Sequence, residues 1–179
     1  MNGIPDSSCE QYVAKSPTDK TKMCGAIDIC KDCTWPPCPE GESCQDKCWA
    51  VKPKLYYVKE FYSVIDAASM KADIYKNGPI SCGIEATDKF VAYTGGIYSE
   101  YILSPNLNHE IAVVGWGEEN GEEYWIGRNS WGTYWGEWGF FKIKMEEGYD
   151  LGITYDCTAG TPSFTPPFQP NPNEDAILY

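Results

Sequence analysis

A histidine and an asparagine twenty positions apart are the residues of this chain best suited to chemistry. His109 is the only histidine in the sequence, and Asn129 opens the run Asn-Ser-Trp-Gly. A neutral imidazole is the usual general base near pH 7, and it can also pair with a thiolate. An amide oxygen would fix one imidazole tautomer without adding charge, and the indole of Trp131 would keep water from that hydrogen bond. On residue types alone, a structural role is the more common one for a lone histidine, and Asn-Ser-Trp-Gly could be an ordinary strand end.

Short strands separated by turns would have to position this pair. Runs rich in strand-forming residues occupy 55–62, 80–86, 96–98, 110–116, 123–128 and 139–145. Asn120-Gly121, between two of these runs, is typical of a tight β-hairpin. Strands of this number and length predict a small antiparallel barrel or sandwich.

One helix is predicted between the first two strand-like runs. Asp66 can cap its start, and Ala67, Met70 and Ile74 form an apolar stripe at helical spacing. Gly78-Pro79 would end it. One helix among several strands predicts an α+β fold.

The composition divides the chain into three regions. Residues 1–53 are punctuated by prolines, show no sustained period, and predict an irregular, cross-linked segment. Residues 54–160 hold the strands and the helix. Residues 161–179 are rich in proline, carry Glu174 and Asp175 near the end, and predict an extended tail without a core.

Nine cysteines indicate the compartment, because seven of them lie in the first fifty residues. Such density favours disulfides and an oxidising environment. A zinc site is the alternative, since Cys30-x-x-Cys33 and Cys44-x-x-x-Cys48 have tolerable ligand spacing. We favour disulfides and predict no metal and no cofactor. Because nine is odd, one thiol should be free or paired outside this chain.

The charge and hydropathy of the chain argue against two kinds of partner. A net charge of −12 and a pI near 4.4 disfavour nucleic acid and anionic lipid. No apolar run approaches the ~20 residues that a membrane span needs. The start at 1–6 is polar and turn-rich, so we expect no secretory signal there.

The region around His109 and Asn129 resembles the C-terminal lobe of the papain-like cysteine proteases. The motifs that carry this resemblance are His109 before Ile-Ala-Val-Val-Gly-Trp-Gly at 111–117, Tyr-Trp-Ile at 124–126, and Arg-Asn-Ser-Trp-Gly-x-x-Trp-Gly-x-Trp-Gly at 128–139. Three further stretches, at 3–15, 71–84 and 93–98, are similar to the cathepsin X (cathepsin Z) branch. The likeness covers roughly residues 2 to 163, with a divergent segment at 24–48.

The resemblance implies roles for six residues. His109 would pair with a nucleophilic thiol, and Asn129 would orient its ring. Trp131 would shield their hydrogen bond, and Trp135 would line the leaving-group side of the cleft. Cys82 and Cys157 correspond to a family disulfide.

This chain departs from the family's pattern at the nucleophile. The family's nucleophile stands in a Cys-Gly-x-Cys-Trp stretch roughly 130–150 residues before the histidine. Counting back that far from His109 reaches a position before Met1. Cys48-Trp49 echoes the end of that stretch but lacks the glycine and lies only 61 residues before His109, so it is a poor candidate. We therefore expect this chain alone to be inactive.

Two functions are consistent with these residues. The chain could be the C-terminal part of a cathepsin X-like peptidase that needs an N-terminal lobe to hydrolyse peptides. Alternatively, it could be an inactive remnant that serves as a structural or protein-binding subunit of a larger assembly, since a bare lobe exposes the apolar face that its partner lobe covers. A stable domain without a retained role ranks last. The family and the cysteines predict a lysosomal or extracellular location.

Overall fold

Two units make up the chain, one formed by residues 1–59 with 162–179 and the other by residues 60–161. The structure, a computed structural model, describes residues 3–7, 9, 30–34 and 47–165. The predicted cross-links at Cys24, Cys38 and Cys44 lie outside the described residues, as does the predicted tail from residue 166 onward.

The first unit contains a small antiparallel pair of strands. β1 (Lys31–Thr34) pairs with β2 (Lys47–Ala50), and the register places Cys33 opposite Cys48. The prediction of a wholly irregular segment was therefore wrong at these two places. Neither Lys-Asp-Cys-Thr nor Lys-Cys-Trp-Ala alternates apolar with polar residues, so no strand pattern marks these positions.

A disulfide within the first unit joins Cys9 to Cys30. The disulfide interpretation of the cysteines is thereby supported, and Cys30 is not available as the zinc ligand of the alternative. Among the described residues, no three or more histidine, cysteine or acidic side chains are grouped as a metal site.

The second unit is built on a seven-stranded sheet. Its strands are β3 (Tyr57–Val64), β4 (Ile80–Ile84), β5 (Ile97–Tyr98), β6 (His109–Glu119), β7 (Glu122–Arg128), β8 (Phe140–Lys144) and β9 (Cys157–Ser163). The strand order is β3-β9-β4-β6-β7-β8-β5. β5 runs parallel to β8, whereas the pairs β4–β6, β4–β9, β6–β7 and β7–β8 are antiparallel. The boundaries between the two units fall inside β3 and β9.

The α+β class and the dominance of antiparallel strands are confirmed, but the sheet is open. Within the described part of the chain β3 and β5 are its end strands, where a small barrel or sandwich was predicted. β5 has only two residues, so it offers few backbone groups for pairing with a further strand. β9 was not predicted because its sequence, Cys-Thr-Ala-Gly-Thr-Pro-Ser, has only two strand-forming residues, both threonine, beside glycine and proline.

The predicted helix is present as α1 (Ala67–Asn77). Asp66 caps it by accepting a hydrogen bond from the Ser69 N–H at 2.9 Å, and Met70 and Ile74 are buried. Gly78, with φ of 98°, ends the helix by donating its N–H to the Ile74 carbonyl at 3.0 Å. Within the described residues no helix is long and apolar enough to cross a membrane.

A second helix was not predicted. α2 (Asp88–Val91) is a single turn in which the Thr87 hydroxyl accepts from the Phe90 N–H at 3.1 Å. One turn is too short to show an apolar stripe, and Thr87 was its only signal. Phe90 itself is fully buried in the core and packs edge-to-face on Phe141, with ring centroids 5.0 Å apart.

Candidate active site

The β6–β7 pairing brings His109 and Asn129 to the same end of the sheet. Ala112 lies opposite Arg128, so the first residue of β6 and the residue after β7 are near neighbours. Asn108 holds the backbone at the start of β6 against the end of β4. Its N–H donates to the Ile84 carbonyl at 3.0 Å, and its side-chain oxygen accepts from the Ala86 N–H at 2.8 Å.

A hydrogen bond of 2.8 Å joins Nε2 of His109 to Oδ1 of Asn129. The same Oδ1 accepts from the Ser130 N–H at 2.8 Å, which identifies it as the oxygen of the amide because a backbone N–H can only donate. Nε2 must then carry the proton. This leaves Nδ1 as the ring nitrogen with a free lone pair, so the neighbours of Asn129 fix the tautomer.

The indole of Trp131 covers the imidazole. The two rings stack at 4.7 Å between centroids with an interplanar angle of 29°. Asn129 is only 7% exposed, while His109 is half-buried. A polar contact sheltered from water is electrostatically stronger than an exposed one, so this cover strengthens the bond that holds the ring.

The second predicted tryptophan supports the first. Trp135 lies edge-to-face against Trp131, with centroids 5.1 Å apart and an angle of 85°. Its Nε1 donates to the carbonyl of Val91, the last residue of α2, at 2.9 Å. Trp135 is half-buried and so presents part of its ring to solvent beside the histidine's cover. Its role on the leaving-group side of a cleft stays a prediction.

The two remaining predicted residues, Cys82 and Cys157, form a disulfide. They lie directly opposite each other in β4 and β9, and both are fully buried. Cys82 is therefore not a thiol that could serve the histidine. Cys48, the poor candidate for that role, has its backbone in β2 of the first unit.

A carboxylate that sequence reasoning missed lies on the far side of α2. Glu100 accepts from the Tyr98 hydroxyl at 2.6 Å and from the Thr87 hydroxyl at 2.7 Å, and it pairs with Lys89 at 2.9 Å. The hydrogen bond from Tyr98 is the main cause that lowers the pKa of Glu100 to about 2. Burial, together with the hydrogen bond to Glu100, raises the pKa of Tyr98 to about 12.

Comparison with known proteins gives this geometry a family. The model of the papain family cysteine proteases matches residues 1–161. The chain belongs to that family, as its sequence motifs predicted.

Among its relatives is the cathepsin Z of Onchocerca volvulus, which is 40% identical over 169 residues, covering 89% of this chain and 50% of the relative. A gut-specific cysteine proteinase of Caenorhabditis elegans is 38% identical over 136 residues, or 72% of this chain and 41% of that protein. The predicted likeness to the cathepsin X branch is therefore confirmed. The chain spans about half the length of the curated relatives it matches.

A solved structure also resembles this chain. The digestive procathepsin L 3 of the Tenebrio molitor larval midgut matches with a TM-score of 0.52 and 34% identity, over 58% of this chain and 35% of that one. The likeness supports the papain-like fold of the sheet.

Proposed function

We propose that this chain is the C-terminal part of a cathepsin X-like cysteine peptidase. It supplies His109 and Asn129 to an active site whose thiol comes from an N-terminal lobe. One observation carries the proposal: the 2.8 Å bond from Nε2 of His109 to Oδ1 of Asn129, which leaves Nδ1 to take the proton of a thiol.

The chemistry follows from that tautomer. A thiol that gives its proton to Nδ1 becomes a thiolate paired with an imidazolium, and the thiolate attacks the peptide carbonyl. The imidazolium then protonates the leaving amine, and the neutral ring later takes a proton from the water that hydrolyses the acyl-enzyme. Asn129 holds the ring through both transfers, and Trp131 excludes water from the bond that does so.

The need for a second lobe rests on the cysteines and on the relatives. Cys9, Cys30, Cys82 and Cys157 are tied in disulfides. The 179 residues contain no Cys-Gly-x-Cys-Trp stretch, and the curated relatives are about twice as long. Peptide hydrolysis is therefore expected only when a thiol-bearing lobe is supplied.

Reconstitution tests this function. The chain is refolded with the N-terminal lobe of a cathepsin Z-like relative, and hydrolysis of a fluorogenic peptide is measured with and without prior thiol alkylation. We expect no hydrolysis by the chain alone and alkylation-sensitive hydrolysis by the complex. His109→Ala should lower kcat/KM at least about 10³-fold. A stably assembled complex that neither turns over nor takes up a thiol reagent stoichiometrically would overturn the proposal.

A second candidate, an inactive protein-binding subunit, is favoured by exposed apolar side chains. Phe61 is 74% exposed, Leu103 79% and Trp138 81%. Exposed side chains of this size mark a protein contact where they lie together in one apolar patch, as on the face that a partner lobe would cover. Stable assembly with the lobe but no thiol labelling would favour this candidate, whereas a monomeric chain that does not bind the lobe would contradict both.

The disulfides and the family favour an oxidising compartment, and we propose a lysosomal or extracellular location. Peptides and the thiol-bearing lobe are the partners that follow from this function.

A further inference from the structure

The short helix α2 is held in place by one carboxylate. A four-residue helix gains little from its own backbone hydrogen bonds, so side chains must fix it. Glu100 does so at the first turn, where it accepts from the hydroxyl of Thr87 and pairs with Lys89. The Thr87 hydroxyl in turn accepts from the Phe90 N–H, so the carboxylate orients the group that caps the helix.

Tyr98 completes this clamp from β5. Its hydroxyl donates to the same oxygen of Glu100 that accepts from Thr87, and its ring packs edge-to-face on Phe90 at 5.4 Å. The Glu100 side chain is only 17% exposed. An ionised carboxylate that accepts from three donors in a sheltered place makes stronger hydrogen bonds than a neutral group would.

The other end of α2 reaches the tryptophans that cover the histidine. The carbonyl of Val91 accepts the Trp135 Nε1–H, and Phe90 lies 5.2 Å from Trp135 and 6.0 Å from Trp131 between ring centroids. Trp131 stacks on His109. A continuous set of contacts therefore runs from Glu100 through α2 and two indoles to the imidazole.

We propose that Glu100 is a positioning residue for the His109–Asn129 pair. By clamping α2 it holds the Trp135 and Trp131 indoles in place over the imidazole. Without the clamp, the Thr87 cap and the Val91 carbonyl lose their fixed positions, the indoles move more freely, and water reaches the His109–Asn129 bond. The consequence for catalysis rests on the proposed function, whereas the effect on the indoles and on the His109–Asn129 bond does not.

The single histidine makes the test direct. In ¹⁵N-labelled full chain, the Nε2–H of His109 is the only imidazole N–H, and its exchange with water can be followed by NMR. Glu100→Ala should speed that exchange about tenfold, because the cover opens more often. It should also reduce the fraction of the Nε2–H tautomer, read from the ring ¹⁵N shifts.

Asp66→Ala is the matched control. Asp66 is also a carboxylate that caps a helix, accepting from the N–H and the hydroxyl of Ser69 at 2.9 and 2.6 Å, but α1 contributes no ring to the aromatic contacts around His109. We expect this variant to leave the exchange rate within about twofold of the parent. Equal acceleration by both variants would mean general loosening of the fold and would overturn the proposal.

Milder variants keep the test decisive if Glu100→Ala does not fold. Tyr98→Phe keeps the ring against Phe90 and removes one hydrogen bond to Glu100, and Lys89→Met removes the ion pair. Tyr98→Phe should speed exchange by about threefold, and Lys89→Met by less, because the Lys89 side chain is 78% exposed. Parent-like exchange in folded Tyr98→Phe would refute the role of Glu100. Because none of these measurements uses the thiol, failure to reconstitute peptide hydrolysis would count against the proposed function and leave this result standing.

Discussion

The two ends of the β6–β7 hairpin make polar contacts of opposite kinds. At the turn end, exposed ion pairs join the hairpin to its neighbours: Glu119 to Lys142 at 3.9 Å, Glu122 to Lys144 at 3.4 Å and Glu123 to Lys71 at 2.6 Å. At the open end, one hydrogen bond between His109 and Asn129 lies under an indole.

The difference shows how shelter from water decides the importance of a polar contact. Exposed ion pairs are screened by salt and lose side-chain entropy, so each contributes little. The bond at the open end is not an ion pair, yet it determines which nitrogen of the neutral imidazole holds the proton. The same two strands therefore have one end that tolerates change and one that does not.

The largest expected loss of stability comes from adding one methyl group at the open end of the hairpin, compared with one methyl group at its turn. Gly127 faces the fully buried ring of Phe141, and a Cβ there would overlap three ring atoms. Gly127→Ala should therefore lower the free energy of unfolding by about 3 kcal/mol, measured by urea denaturation. At the turn, Gly121 has no atom within 4 Å of such a Cβ, and only its φ of 83° opposes alanine. Gly121→Ala should cost about 1 kcal/mol, and equal costs would contradict the contrast between the ends.

A second comparison replaces one asparagine at each end by alanine. Asn129→Ala removes the acceptor for both His109 and the Ser130 N–H and should cost about 2 kcal/mol. It should also convert the imidazole from one tautomer to a mixture, as shown by its ¹⁵N shifts. Asn120, whose φ is 55°, lies in the turn, so Asn120→Ala should lower stability through backbone strain alone. A tautomer change in Asn120→Ala would show that the two ends are not independent.

The pH dependence of stability should separate Glu100 from the carboxylates of the turn. Its pKa is lowered from 4.5 to about 2, so the folded state favours the charged form. Its contribution is complete above about pH 4.5 and is lost as the pH falls from there towards 2. Parent and Glu100→Gln should therefore differ by about 2 kcal/mol at pH 6 and progressively less below pH 4.5. A difference that does not change with pH would mean that the charge of Glu100 does not act in this way.

The two helices show how much of the molecule the sequence could predict. α1 has eleven residues, a cap at Asp66 and a buried stripe, so local patterns alone defined it. α2 has four residues and is held by Glu100, which lies beyond the helix in the chain. No local pattern contains a contact between residues that the fold alone brings together, and the helix that supports the site was missed for this reason.

The candidate site divides in the same way. His109 and Asn129 were predicted because their residue types, spacing and motifs all lie in one stretch. The second hydrogen bond to Oδ1 of Asn129, from the N–H of Ser130, was not predicted because any residue but proline offers that donor. The residue types of His109 and Asn129 indicate the chemistry of the site, whereas the backbone N–H of Ser130 determines the imidazole tautomer.

The smallest effect should come from the shortest ion pair of the turn end. Glu123 is 53% exposed and lies 2.6 Å from Lys71, which is 25% exposed. Despite that short distance, Glu123→Gln should lower the free energy of unfolding by only about 0.5 kcal/mol, because solvent screens the pair and its side chains lose entropy in pairing. The difference should vanish in about 0.5 M salt, where the screening length falls to about 4 Å. A loss above about 2 kcal/mol that persists in salt would place this pair with the sheltered contacts of the open end. Shelter from water would then not explain why polar contacts at the two ends of the hairpin differ in importance.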